Sequence, residues 1–139
     1  MPAKIVSLGY ERRSIDELVG ILSGYGVAKL LDIRELPLSR RKGFSKSTLS
    51  VHLEEAGIEY LHLRAAGNPY RKHKASIGRC LQLYTRYLEK NPEIVEALAL
   101  ELSNKPIAVF CYEREHECCH RSILLKALQC GHSVKVIEA

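Results

Sequence analysis

The sequence predicts a three-layer α/β/α domain built on a mainly parallel sheet of about five strands. Three observations carry this. Short apolar runs alternate with stretches of helical periodicity along the whole chain. The runs are nearly continuous in apolar residues, as in strands covered on both faces. The total of 139 residues suits one domain with one core, so the whole of 1–139 is read as a single unit.

Residues 4–8, Lys-Ile-Val-Ser-Leu, read as the first strand. Ser14 and Glu17 have capping-box spacing, and Ile15, Leu18, Val19 and Leu22 follow at helical intervals until Gly24 and Gly26. Residues 27–33 form a second strand, 47–56 a short helix closed by Gly57, and 58–63 a third strand. Ile77, Cys80, Leu81, Tyr84 and Leu88 form a helical stripe, which puts Cys80 in the core. Asn91 and Pro92 predict a new helix with Asn91 as its N-cap, and Ile94, Val95, Leu98 and Leu102 as its stripe. Residues 106–110 are the fourth strand. Ile123, Leu124, Ala127 and Leu128 mark a helix ending at Gly131, with Cys130 packed near its end, and 134–137 are the last strand. Such alternation implies right-handed crossovers between parallel neighbours.

Hydrophobic content of 46% and charged content of 27% are those of a soluble globular chain. No apolar run approaches the ~18 residues that a membrane span requires, and the first residues do not resemble a signal peptide. The expectation is a cytoplasmic protein without membrane contact. Five cysteines, two of them adjacent at 118 and 119, do not suggest a disulfide framework, and free thiols in a reducing cytosol are expected. The net charge of +5 permits anionic partners such as nucleotides, phosphates or nucleic acid without requiring them. Arg34, Arg40, Arg41, Lys42 and Lys46 gather in one connection, and Arg64, Arg71, Lys72, Lys74 and Arg79 in another.

In open parallel sheets, ligands bind beyond the carboxyl ends of the strands. Those ends hold the polar residues here. Tyr10 follows the first strand; Asp32, Arg34, Ser39 and Arg40 follow the second; His62 ends the third. These six are the candidate substrate-binding residues. The fourth strand leads into Cys-Tyr-Glu-Arg-Glu-His-Glu-Cys-Cys-His-Arg, residues 111–121, from which Cys111, Glu113, Cys119, His120 and Arg121 are the candidate catalytic residues. No Ser, Thr, Asp or Asn directly precedes the helix that follows, so its first amides are expected to be available to an anion, together with Arg121.

Three chemistries fit this segment. A cysteine can act as nucleophile on a phosphoryl or sulfur centre, although the thiols lack the usual spacing to Arg121 and the loop lacks glycine. Cys111, His116, Cys119 and His120 are of the ligand types that hold zinc, the only cofactor suggested, but their spacing is not that of a zinc finger. Glu113, Glu115 or His120 can move protons on a substrate held by arginines. The leading expectation is a small enzyme, a hydrolase or transferase, acting on an anionic small molecule of phosphate or nucleotide type. A non-catalytic nucleic-acid-binding module, with Phe44 and Tyr70 available to stack on bases, is the alternative.

Several motifs together resemble the prokaryotic family catalogued as domain of unknown function 488. They are Gly9-Tyr10-Glu11 with Ser14; Asp32-Ile33-Arg34 with Pro37, Ser39 and Arg40; Gly43-Phe44-Ser45; Gly57-Ile58-Glu59-Tyr60 with His62-Leu63; Gly67; and Cys111 with Glu113 and Cys119-His120-Arg121. The resemblance implies a small α/β protein and supplies no reaction. Leu30 to Glu35, and Val109-Phe110-Cys111 with Arg121-Ser122, also look like parts of rhodanese-type domains, which implies a Rossmann-like or rhodanese-like sheet. The longer loop departs from the rhodanese pattern and so does not imply sulfur transfer.

Overall fold

The computed structural model describes residues 2–70, 76–116 and 119–139, apart from the side chain of residue 77. Five parallel strands form one sheet: β1 (Ala3–Gly9), β2 (Lys29–Asp32), β3 (Glu59–His62), β4 (Ile107–Cys111) and β5 (Val134–Glu138), in the order β3-β2-β4-β1-β5. The helices are α1 (Ile15–Gly24), α2 (Lys46–Glu55), α3 (Ile77–Lys90), α4 (Glu93–Ala99) and α5 (His120–Gln129), with one 3-10 turn at Arg64–Ala66. The strands and helices expected from periodicity are all present, within a few residues of their expected limits. No helix among the described residues is long and apolar enough to cross a membrane.

Side-chain alternation along the strands separates two apolar layers. Ile5, Leu31, Ile33, Ile107, Val109 and Cys111 face α3, α4 and α5, where Tyr84, Leu88, Ile94, Leu98, Leu124 and Leu128 meet them. Val6, Leu8, Leu30, Ala108 and Phe110 face α1 and α2, against Leu18, Leu22, Leu49 and Leu53. The arrangement is therefore α/β/α, with β4 and β1 at the centre, covered on both faces.

The start of α1 forms as the spacing predicts. Ser14 Oγ accepts from the Glu17 amide at 3.1 Å, and the Glu17 carboxylate accepts from the Ser14 amide at 3.3 Å. Asn91 behaves differently. Its side chain donates to the Tyr87 carbonyl at 2.8 Å, closing α3, while Pro92 holds the N-cap position of α4 without a side-chain bond. An Asn between two helices can satisfy either the open carbonyls behind it or the open amides ahead, and here it serves the former. Cys80 is only half-buried, its Sγ 3.3 Å from the Tyr70 carbonyl, and Cys130 is exposed, so neither sits in the core or packs as the sequence suggests. Both lie at the margin of a helical stripe, where one position of rotation decides burial.

Gly9 fixes how the polar loop leaves β4. A Cβ on Gly9 would stand 1.8 Å from the Glu113 carbonyl oxygen, so only glycine lets this loop lie across the end of β1. The Tyr10 and Glu11 amides then donate to the Cys111 and Tyr112 carbonyls at 3.2 and 2.8 Å, and the Glu11 carboxylate accepts from the Arg114 amide at 3.2 Å.

Candidate functional site

Two polar clusters stand at the carboxyl rim of the sheet, on opposite faces of it. The first belongs to the α1–α2 side. Asp32 is fully buried and accepts from Arg34 Nε and Nη2 at 2.9 and 2.7 Å, and from Tyr60 Oη at 2.6 Å. Its Oδ1 also accepts from the Arg34 amide at 3.1 Å. Arg34 Nη1 donates to the Phe44 carbonyl at 2.6 Å, and its guanidinium lies 5.4 and 5.1 Å from the ring centres of Tyr10 and Phe110. Tyr10 is buried and stacks on Phe44 with centres 4.5 Å apart. Burial raises the Tyr60 hydroxyl well above its usual range, and its bond to the Asp32 carboxylate adds to this. His62 Nε2 donates to the Arg34 carbonyl at 2.7 Å. Ser39 Oγ accepts from the Arg41 amide at 3.1 Å, while Arg40 is exposed. Asp32, Arg34, Tyr10 and His62 thus hold one another and the chain between β2 and α2.

The second cluster belongs to the α3–α5 side. β4 ends at Cys111, and α5 begins with His120 and Arg121 after Cys119 at the N-cap. Arg121 is fully buried. Its Nη1 donates to Cys111 Sγ at 2.8 Å, its Nε to Ser7 Oγ at 2.9 Å, and its Nη2 approaches the Arg114 carbonyl at 3.5 Å. Among the described residues no carboxylate forms an ion pair with it. Burial pushes Arg121 down to about 10; Glu113 opposes this, and Arg13 adds to it by like-charge repulsion. Arg13 is itself buried, donates to the Gly9 carbonyl at 3.3 Å, and is lowered by burial and then by Arg114.

The two sulfurs of Cys111 and Cys119 meet as a disulfide pair, with Cα atoms 7.9 Å apart. This corrects the expectation that all the thiols are free; Cys80 and Cys130 take no part in this pair, and Cys118, with Glu117, lies outside the described residues. The pairing follows from the register of the loop, which brings the end of β4 back to the start of α5. The Glu113 carboxylate is 3.5 Å from Cys111 Sγ. His120 Nε2 lies 3.0 Å from the Ile33 carbonyl, which can only accept, so Nε2 carries the proton. Nδ1 of the same ring faces Cys119 Sγ at 3.6 Å.

The start of α5 is not open in the way its sequence suggests. Cys119 Sγ accepts from the Arg121 amide at 3.5 Å, and the Cys119 carbonyl accepts from Ser122 Oγ at 2.9 Å. A thiol is a weak acceptor and is absent from the usual capping residues, which is why the motif does not show in the sequence. Cys111, Cys119 and His120 offer three buried donor atoms within 4.8 Å of one another, a set of soft ligands. His116 is outside that set and shares a 2.6 Å hydrogen bond with Ser7 Oγ through Nδ1. Glu115 is exposed.

The structure therefore brings Cys111, Glu113, Cys119, His120 and Arg121 together, and it keeps Asp32 and Arg34 apart from them across the sheet. The nearest link is Ile33, whose carbonyl meets His120 while its neighbours point to the other face. Ser7 was not among the sequence-derived candidates. Its signal is a hydroxyl inside the apolar run Ile5-Val6-Ser7-Leu8, at a position with 1% exposure.

The model of the family described as Domain of unknown function DUF488 matches residues 14–128. No curated protein and no solved structure matches the chain.

Proposed function

The chain belongs to the DUF488 family, whose description assigns no activity, and from the site itself we propose that it is a small enzyme using Cys111 as nucleophile on an anionic substrate. The observation that carries this reading is the fully buried Arg121 guanidinium 2.8 Å from Cys111 Sγ. A buried cation with no carboxylate in ion-pair range among the described residues favours an anionic neighbour, and the Cys111 thiolate is the group placed to be that anion. In the reduced protein Glu113 lies close enough to receive the thiol proton. Ser7 holds Arg121 Nε and thereby aims the guanidinium; it is a positioning residue. Arg13 and Arg114 add positive charge at the same rim, which favours a phosphate-like substrate.

The same sulfurs with His120 are ligand types that suit zinc. The guanidinium beside Cys111 weighs against that use, because a dication there would meet a like charge 2.8 Å from one of its own ligands.

The test is alkylation of the reduced protein with iodoacetamide, followed by peptide mass analysis across pH. Cys111 is expected to react at lower pH than exposed Cys130. Inorganic phosphate is expected to slow alkylation of Cys111 and not of Cys130. Ser7→Ala should move the Cys111 profile upward. Identical profiles for the two thiols, with no protection by phosphate, would sink the reading.

A further inference from the structure

We propose that Cys111 and Cys119 act together as a two-electron donor, so that the anionic substrate is a tetrahedral oxyanion that leaves the site reduced. This rests on the reading of Cys111 as nucleophile and adds the class of substrate. A hydrolase or group transferase needs one thiol, and Cys111 would suffice. The structure places a second sulfur against the first, with Arg121 touching both: its guanidinium donates to Cys111 Sγ, and its backbone amide to Cys119 Sγ. His120 supplies a proton acceptor 3.6 Å from Cys119, held in the required tautomer by the Ile33 carbonyl. The Cα separation of 7.9 Å exceeds the ordinary disulfide span of about 4.4–6.8 Å, so the backbone also suits the two separate thiols. Both sulfurs are buried, which restricts exchange to small thiols.

The chemistry balances as follows. The Cys111 thiolate attacks the central atom of a pentavalent oxyanion, forming a sulfur–central-atom bond, and one oxygen leaves as water after taking two protons. Cys119 gives its proton to His120 Nδ1 and attacks Cys111 Sγ. The bond from Cys111 to the central atom breaks, and its electron pair stays on that atom, which departs in the trivalent state. The two thiols have lost two electrons and become a disulfide. A small dithiol from solution restores them by exchange and becomes a disulfide itself.

Arsenate is the probe, because its two-electron couple is accessible to thiols. Reduced protein freed of reductant is incubated with arsenate, then assayed for titratable thiols, intact mass and arsenite. Of the five thiols in the chain, two are expected to disappear, with a mapped Cys111–Cys119 bond and one arsenite released per chain. Dithiothreitol should then support repeated turnover. Cys119→Ser should keep the low-pH alkylation of Cys111 but release no arsenite, and Cys130→Ser should behave as the parent. Retention of all five thiols without arsenite overturns the proposal. If Cys111 still alkylates early under those conditions, the nucleophile reading survives alone; if it alkylates no faster than Cys130, both fall together.

Discussion

Tyr60 shows how one hydroxyl ties stability to pH. Burial first, and the bond to Asp32 second, raise it above the usual phenol value of about 10. A group raised on folding contributes stability that is fully present below its unfolded value and is lost as pH climbs toward the folded one. Tyr60→Phe should therefore flatten the fall in stability above pH 10. It should also cost about 1–2 kcal/mol near neutrality, because one hydrogen bond to a carboxylate is gone. Urea melts at pH 7 and 10.5 check this, and an unchanged alkaline fall would show that other groups govern it. Arg121 is a second case at this scale. A full-length buried arginine with partners on Ser7, Cys111 and Arg114 cannot be truncated without leaving those groups open. Truncating Arg121 is therefore expected to destabilise the fold, and this is why Ser7→Ala is the cleaner probe of its role.

Among the elements, α1 offers the simplest measurement. Its capping box satisfies two open backbone amides through Ser14 and Glu17. Ser14→Ala should cost about 1 kcal/mol in chemical denaturation, and a change under about 0.3 kcal/mol would mean that water replaces the cap without loss. Elements of this kind were legible in the sequence, because capping pairs and apolar periodicity are local. The candidate site was legible only in part. The residues from Cys111 to Arg121 stand together in the chain, so their closeness could be read directly. The separation of Arg34 from Cys111 could not, since it depends on which strand face each occupies. Arg34 shares a face with Leu30 and Phe110, whereas Cys111 shares one with Ile5 and Val109. Nor could the role of Cys119 as a cap be foreseen, as thiols rarely serve there.

For the molecule as a whole, the net charge of +5 sets a background attraction to any polyanion. The basic connection after β2 is partly occupied with the protein's own backbone. Arg41 donates to the Tyr10 and Arg13 carbonyls and lies 5.7 Å from the centre of the Phe44 ring. Gel shifts on single-stranded and duplex probes are accordingly expected only at low salt, vanishing near 0.15 M as weak phosphate contacts are screened (about 0.15 M being physiological). A complex that survives that salt would instead favour a nucleic-acid-binding module.

Cys119, His120 and Arg121 are consecutive, yet each reaches a different partner: Cys111 on β4, Ile33 just past β2, and Ser7 on β1. The first turn of α5 therefore gauges the alignment of three strand tips at once. One residue of slippage would swing every side chain by about 100° and dismantle all three contacts together. The helix is locked in phase with the sheet, and its Leu124, Leu125 and Leu128 anchor, in the same apolar cluster as the two sulfurs, sets the tolerance with which the sulfur chemistry can be aligned.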